Sequence, residues 1–66
     1  MTSKRDYENV ARILREAVAD ERTLLDGDEA PITGQIADRL ADYFAADNPA
    51  FDRARFSRAI FGGGTQ

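Results

Sequence analysis

Residues 46–56, ADNPAFDRARF, decide how this sequence divides into structural elements. Asn48 precedes Pro49, and the residue before a proline is pushed out of the α region, so a helix that arrives from the N-terminal side must end here. Asparagine is also a favoured N-cap and proline a favoured first helical residue. The same pair therefore predicts a new helix over residues 49–61, which the Gly62-Gly63-Gly64 run ends before a flexible tail, residues 62–66.

A long amphipathic helix is predicted over residues 4–26. Its apolar residues recur at helical spacing, and Ser3 and Asp6 are placed for a capping box. Gly27 stands where a left-handed residue commonly ends a helix. Only Glu21 interrupts the apolar stripe, which consists of Tyr7, Val10, Ala11, Leu14, Ala17, Val18 and Leu25.

A second helix is predicted over residues 32–46. Two starts are compatible with the sequence: Asp28 caps the helix with Pro31 in its first turn, or Thr33 is the cap and Gly34 the first helical residue. The apolar face of this helix consists of Ile32, Ile36, Ala37, Leu40, Tyr43 and Phe44.

The composition limits the ways in which this chain can be stabilised. A domain of 66 residues buries only about 60% of the surface of its unfolded chain. The chain has no Cys and no His, so disulfides and the usual structural zinc sites are excluded. Association with a second subunit is the common alternative. The fold class that we predict is therefore all-α, a small three-helix domain completed by homodimerisation.

The predicted third helix carries apolar residues on two sides, which is typical of a helix with two neighbours. In a three-helix monomer one of these sides would stay exposed, so a second chain is expected to cover it. Aromatic and Arg side chains are enriched at protein interfaces. The predicted interaction residues are Phe51, Arg55, Arg58, Phe61 and Tyr43, and the partner is a second copy or another protein.

DNA binding is the alternative function. The second and third predicted helices have helix–turn–helix length, and Arg53, Arg55 and Arg58 would contact phosphates. Against this, the net charge is −3, and the second helix carries Asp38 and Asp42, which would repel a phosphate backbone. These arginines are more simply explained by pairing with the acidic residues that precede them.

No catalytic or cofactor-binding pattern is recognisable. Without Cys or His, the common nucleophile–base pairs are excluded, and Asp38 and Asp42 fit a solvated helix face. We therefore predict a protein that is not an enzyme and that binds no cofactor or metal. The N-terminal MTSKRDYENV is polar, unlike a signal peptide, and no apolar run could span a membrane. The predicted location is the cytoplasm.

The segment Ile36–Gly62 resembles the C-terminal end of small proteins of unknown function that actinobacteriophages and related prophages encode. These proteins often end in a helix, an A-x-DNP-x-FD-x-x-RF segment and a short glycine-containing tail. The resemblance implies a small accessory protein of phage origin that acts in the host cell, and it implies no chemistry. The matching residues are Tyr43, Phe44, Asp47, Asn48, Pro49, Phe51, Asp52, Arg55 and Phe56.

Overall fold

The computed structural model describes residues 3–62, and this part of the chain forms three helices and no strand. They are α1 (Lys4–Leu25), α2 (Pro31–Asp47) and α3 (Arg53–Phe61). The prediction of an all-α, three-helix domain is confirmed. Apart from Gly62, the predicted flexible tail lies outside the described residues.

The two ends of α1 are held by local hydrogen bonds. The predicted capping box is present: the Ser3 hydroxyl accepts from the Asp6 N–H, and the Asp6 carboxylate accepts from the Ser3 N–H at 3.2 Å. At the other end, Gly27 was predicted to be the left-handed residue, and this prediction is wrong by one position. Asp26 has the positive φ, 54°, which aspartate tolerates better than most residues. The helix therefore ends at Leu25, one residue earlier than predicted.

The start of α2 is capped from another helix. Its N-cap residue, Ala30, makes no side-chain hydrogen bond, and Pro31 is the first helical residue. Asp28 and Thr33 were the two predicted caps, and both predictions are wrong. The backbone N–H groups of Ile32 and Thr33 instead donate to the two carboxylate oxygens of Glu21, at 2.9 and 2.8 Å. The acidic residue that interrupts the apolar stripe of α1 thus ties α1 to α2.

The charge of Glu21 suits this position. The first N–H groups of a helix have no partner within the helix, and the N-terminal end of the helix dipole favours a negative charge. Partial burial raises the pKa of the Glu21 carboxyl, but hydrogen bonds from the backbone of Thr33 and Ile32 and from the Thr33 hydroxyl lower it by more. The net pKa lies below the ordinary value of 4.5. The folded state therefore favours the ionised carboxylate.

Replacement of Glu21 by glutamine should lower the melting temperature by several degrees at neutral pH, because the cap loses its charge and one acceptor. Since the folded pKa lies below the unfolded one, the contribution of Glu21 is present above the unfolded pKa and is lost as the pH falls through the folded pKa. The difference between wild type and Glu21→Gln should therefore shrink from pH 7 to pH 3 in thermal melts. The exposed Glu29→Gln is the control, and an equal Tm for wild type and Glu21→Gln at pH 7 would contradict the cap.

The joint between α2 and α3 differs from its prediction. Asn48 does end α2, but α3 begins at Arg53 and not at Pro49. The Asn48 side chain accepts from the Ala50 N–H at 3.0 Å, and its carbonyl accepts from the Phe51 N–H at 2.9 Å, so residues 48–51 form a turn. The N-cap of α3 is Asp52, whose Oδ1 accepts from the Arg55 N–H at 3.0 Å.

All three helices contribute to one small core. α1 packs more extensively against α3 than against α2, and α2 and α3 meet least. At one end of the core the rings of Tyr7, Phe44, Phe51 and Phe56 form a cluster with centroid separations of 4.7–5.7 Å. The buried apolar residues are Ala11, Leu14, Val18, Ala37, Ala41, Phe44, Phe56 and Ile60.

Leu25 was predicted on the buried stripe of α1 but is more than half exposed. The reason is the length of the neighbouring helices. Glu21 contacts the first turn of α2, so the last turn of α1 extends beyond the point where α2 begins. The C-terminal end of α1 is therefore not covered by the domain itself.

Candidate protein-interaction surface

The apolar face predicted for α2 is only partly buried. Thr33, Ala37, Ala41 and Phe44 form the buried side of this helix. Three of the six predicted face residues instead project from the domain: Ile32 is 65% exposed, Ile36 46% and Tyr43 64%. α2 is thus apolar on two sides, and the domain covers only one of them.

α1 also carries exposed apolar residues, and Leu24 lies one turn from Glu21, the residue that binds the first turn of α2. Ile13 is 59% exposed and Leu24 83%. α3 packs on the side of α2 that carries Ala37 and Ala41, so the exposed stripe of α2 lies away from α3. Monomeric proteins rarely leave so many large apolar side chains exposed together, and such patches mark interaction sites. We call this surface the α1–α2 face, and it consists of Ile13, Leu24, Ile32, Ile36 and Tyr43.

The residues predicted for protein interaction do not lie on a single surface. Phe51 and Phe61 are half-buried and pack against the core. Phe51 precedes α3 and belongs to the aromatic cluster, with its ring centroid 4.7 Å from that of Tyr7. The expectation that one apolar side would stay exposed for a second chain is therefore wrong for these residues, because Phe51 and Phe61 both pack against the core of their own chain. Tyr43 belongs to the α1–α2 face.

The three arginines predicted to contact either protein or phosphate have different surroundings. Arg53 Nη1 donates to Asp42 Oδ1 at 2.7 Å, so this arginine pairs with the acidic second helix. Both side chains are largely exposed, and such a pair contributes about 0–1 kcal/mol. Arg55 and Arg58 are exposed and lie three residues apart on one face of α3.

A groove of about 540 Å³ lies between α1 and the segment that runs from Asn48 into α3. Its floor is apolar and includes Tyr7, Phe51 and Phe56, and its rim carries both signs of charge, with Lys4 and Arg55 among the basic side chains. The Tyr7 hydroxyl oxygen is buried and finds no hydrogen-bond partner among residues 3–62. An unsatisfied buried hydroxyl destabilises a fold.

Replacement of Tyr7 by phenylalanine should raise the free energy of unfolding by about 1 kcal/mol, because it removes the unpaired hydroxyl. The ring contacts with Phe44 and Phe51 would be kept. Chemical denaturation of the two proteins measures the difference. Tyr43→Phe is the control, since its exposed ring allows hydration of the hydroxyl. A less stable Tyr7→Phe would show that the hydroxyl is hydrogen-bonded in solution.

No family model, curated protein or solved structure matches the chain. The resemblance of residues 36–62 to actinobacteriophage proteins therefore stays a prediction. None of the helices within residues 3–62 combines the length and apolar character needed to cross a membrane.

Proposed function

We propose that this chain is a small, non-enzymatic protein-interaction module that self-associates. The observation that carries the proposal is the α1–α2 face, which leaves five large apolar side chains 46–83% exposed. Within residues 3–62 the buried core consists of only eight apolar residues, three of them alanines. A second surface packed on the α1–α2 face would enlarge that core, and small domains without disulfides or metals are commonly stabilised in this way.

The geometry favours a protein partner over DNA. Arg53, at the start of α3, is paired with Asp42, whereas a recognition helix uses its N-terminal residues to contact base edges. The exposed apolar side chains lie on α1 and α2. Apolar side chains make no favourable contact with a charged phosphate backbone. If the chain also binds a different protein, we propose that this partner is a host or phage protein. That proposal rests on the sequence resemblance alone.

Sedimentation equilibrium at low micromolar concentration tests this proposal. We expect a mass above that of the 7.3 kDa monomer, with the fraction of monomer rising on dilution. Circular dichroism of the same samples checks that the chain is helical. A monomer mass for a stably folded chain over the whole concentration range would contradict self-association.

A further inference from the structure

One stripe of α1 and one stripe of α2, exposed except for the half-buried Ala17, repeat the same spacing. In both helices the residues follow one another at intervals of four, three and four residues, which is the spacing of a coiled-coil seam. In both helices the third position is charged, acidic on α1 and basic on α2. The two series are Ile13, Ala17, Asp20 and Leu24 on α1, and Ile32, Ile36, Arg39 and Tyr43 on α2.

Two contacts between α1 and α2 fix the relative direction of the two series. Near the C-terminal end of α1, Glu21 binds the first turn of α2. Near the N-terminal end of α1, the ring of Tyr7 lies 4.9 Å from that of Phe44, close to the end of α2. The helices are therefore antiparallel. Ala17 and Leu24 each lie one turn from Glu21, which binds the N–H of Ile32, so the two series are neighbours at that end. Arg39 lies between these two contacts, at about the level of Ile13 and less than one helical turn from the level of Glu16.

The charges on this surface indicate its occupant. Glu16 and Asp20 are exposed carboxylates on the α1 side, and Arg39 is an exposed guanidinium on the α2 side. A two-fold axis parallel to the helices places α1 of each copy over α2 of the other. It thereby brings Arg39 of each copy towards Glu16 of its partner, twice in a symmetric dimer. This contact between opposite charges favours the arrangement over the alternative of α1 against α1, which places the same carboxylates on both sides.

The size of the surface is also sufficient. α1 has 22 residues and α2 has 17. Side by side, the two helices offer a face about 20 Å wide and about 25–33 Å long. A dimer would then bury on the order of 1,200 Å² in total, the lower end of the range for stable interfaces. This value predicts a dimer that dissociates on dilution.

We propose that two copies of the chain pair through the α1–α2 face, α1 of each over α2 of the other, with Arg39 against Glu16 of the partner. The inference rests on the proposed self-association and specifies its surface and symmetry. It also replaces α3, which the sequence favoured, as the site of pairing.

Complementary charge reversals test the arrangement. One variant carries Arg39→Glu, and another carries Glu16→Lys. Each alone places like charges across the interface and should weaken the homodimer by at least about tenfold. An equimolar mixture should recover heterodimers with an affinity near that of the wild type, which native mass spectrometry detects. Arg58→Glu, on the exposed side of α3, is the matched control and should dimerise like wild type.

The outcomes separate the inference from the proposed function. If the wild type dimerises but Arg39→Glu pairs equally well, or the mixture forms no heterodimer, the interface lies elsewhere and the inference is overturned while self-association stands. If Arg58→Glu alone weakens the dimer, α3 is the interface. A monomeric wild type overturns the proposed function itself. Thermal melts of dilute samples establish that each variant folds.

Discussion

Replacement of Phe44 by alanine is expected to unfold the domain at 37 °C. Phe44 is 5% exposed, and its ring lies within 6 Å of those of Tyr7, Phe51 and Phe56. A buried Phe→Ala change costs about 3–5 kcal/mol. The whole stability of a domain of this size is about 3–10 kcal/mol, at roughly 0.05–0.15 kcal/mol per residue. The substitution therefore removes at least about a third of the stability, and all of it at the lower end of this range.

The neighbouring aromatic residue provides the control. Tyr43 lies next to Phe44 on α2 but is 64% exposed. In dilute samples, where the monomer predominates, Tyr43→Ala should change the free energy of unfolding by less than about 1 kcal/mol. Circular dichroism with temperature and denaturant compares the two variants. Equal losses of stability would contradict the assignment of one ring to the core and the other to the surface.

Replacement of Ile36 by lysine is expected to abolish self-association while the monomer stays folded. Ile36 is the central apolar residue of the α2 series and is 46% exposed, so a lysine there can direct its ammonium to solvent in the monomer. In the dimer the charge would be buried. Central interface residues contribute about 2 kcal/mol or more, and a symmetric interface contains each twice. The dissociation constant should rise on the order of a thousandfold.

Ala54→Lys separates the two candidate surfaces. Ala54 is exposed on α3, on the side that the sequence predicted to pair. We expect its replacement to leave the dissociation constant within a factor of about three of the wild type, as measured by sedimentation equilibrium beside Ile36→Lys. If Ala54→Lys dissociates the dimer and Ile36→Lys pairs normally, the interface lies on α3.

The sequence was sufficient to predict the helices and much of the core. Apolar spacing located the first two helices, the Asn48-Pro49 pair indicated that a third helix follows, and the capping box of α1 was recognised from Ser3 and Asp6. These features depend on residues close together in the chain. Local chemistry alone determines them, so they can be inferred without knowing the tertiary packing.

The joint after α2 could not be decided in this way. Asn48-Pro49 is equally suited to a turn and to the start of a helix. Asp52 resolves the choice, because its carboxylate caps the N–H of Arg55 and fixes the helix start four residues later than Pro49 would. Asp52 is itself a favoured N-cap residue. The sequence therefore contained the correct helix start, but Asn48-Pro49 offered a second one.

The buried side of α2 depended on tertiary packing. The large residues Ile32, Ile36 and Tyr43 suggested the core face, yet the smaller Ala37 and Ala41 face α3 because small side chains allow helices to approach closely. Glu21 was the other missed residue. An acidic residue on an apolar stripe is a recognisable signal, but its partner, the first turn of α2, lies eleven and twelve residues away.

Intermolecular nuclear Overhauser effects test the proposed dimer most directly. In a sample that mixes isotope-labelled and unlabelled chains, filtered spectra show only contacts between copies. We predict contacts from the Tyr43 ring and the Ile36 methyl groups of one copy to the Ile13 methyl groups of the other. Contacts from Ala54 or Ala59 of α3 instead, or no contact at millimolar concentration, would contradict the pairing of two copies through the α1–α2 face.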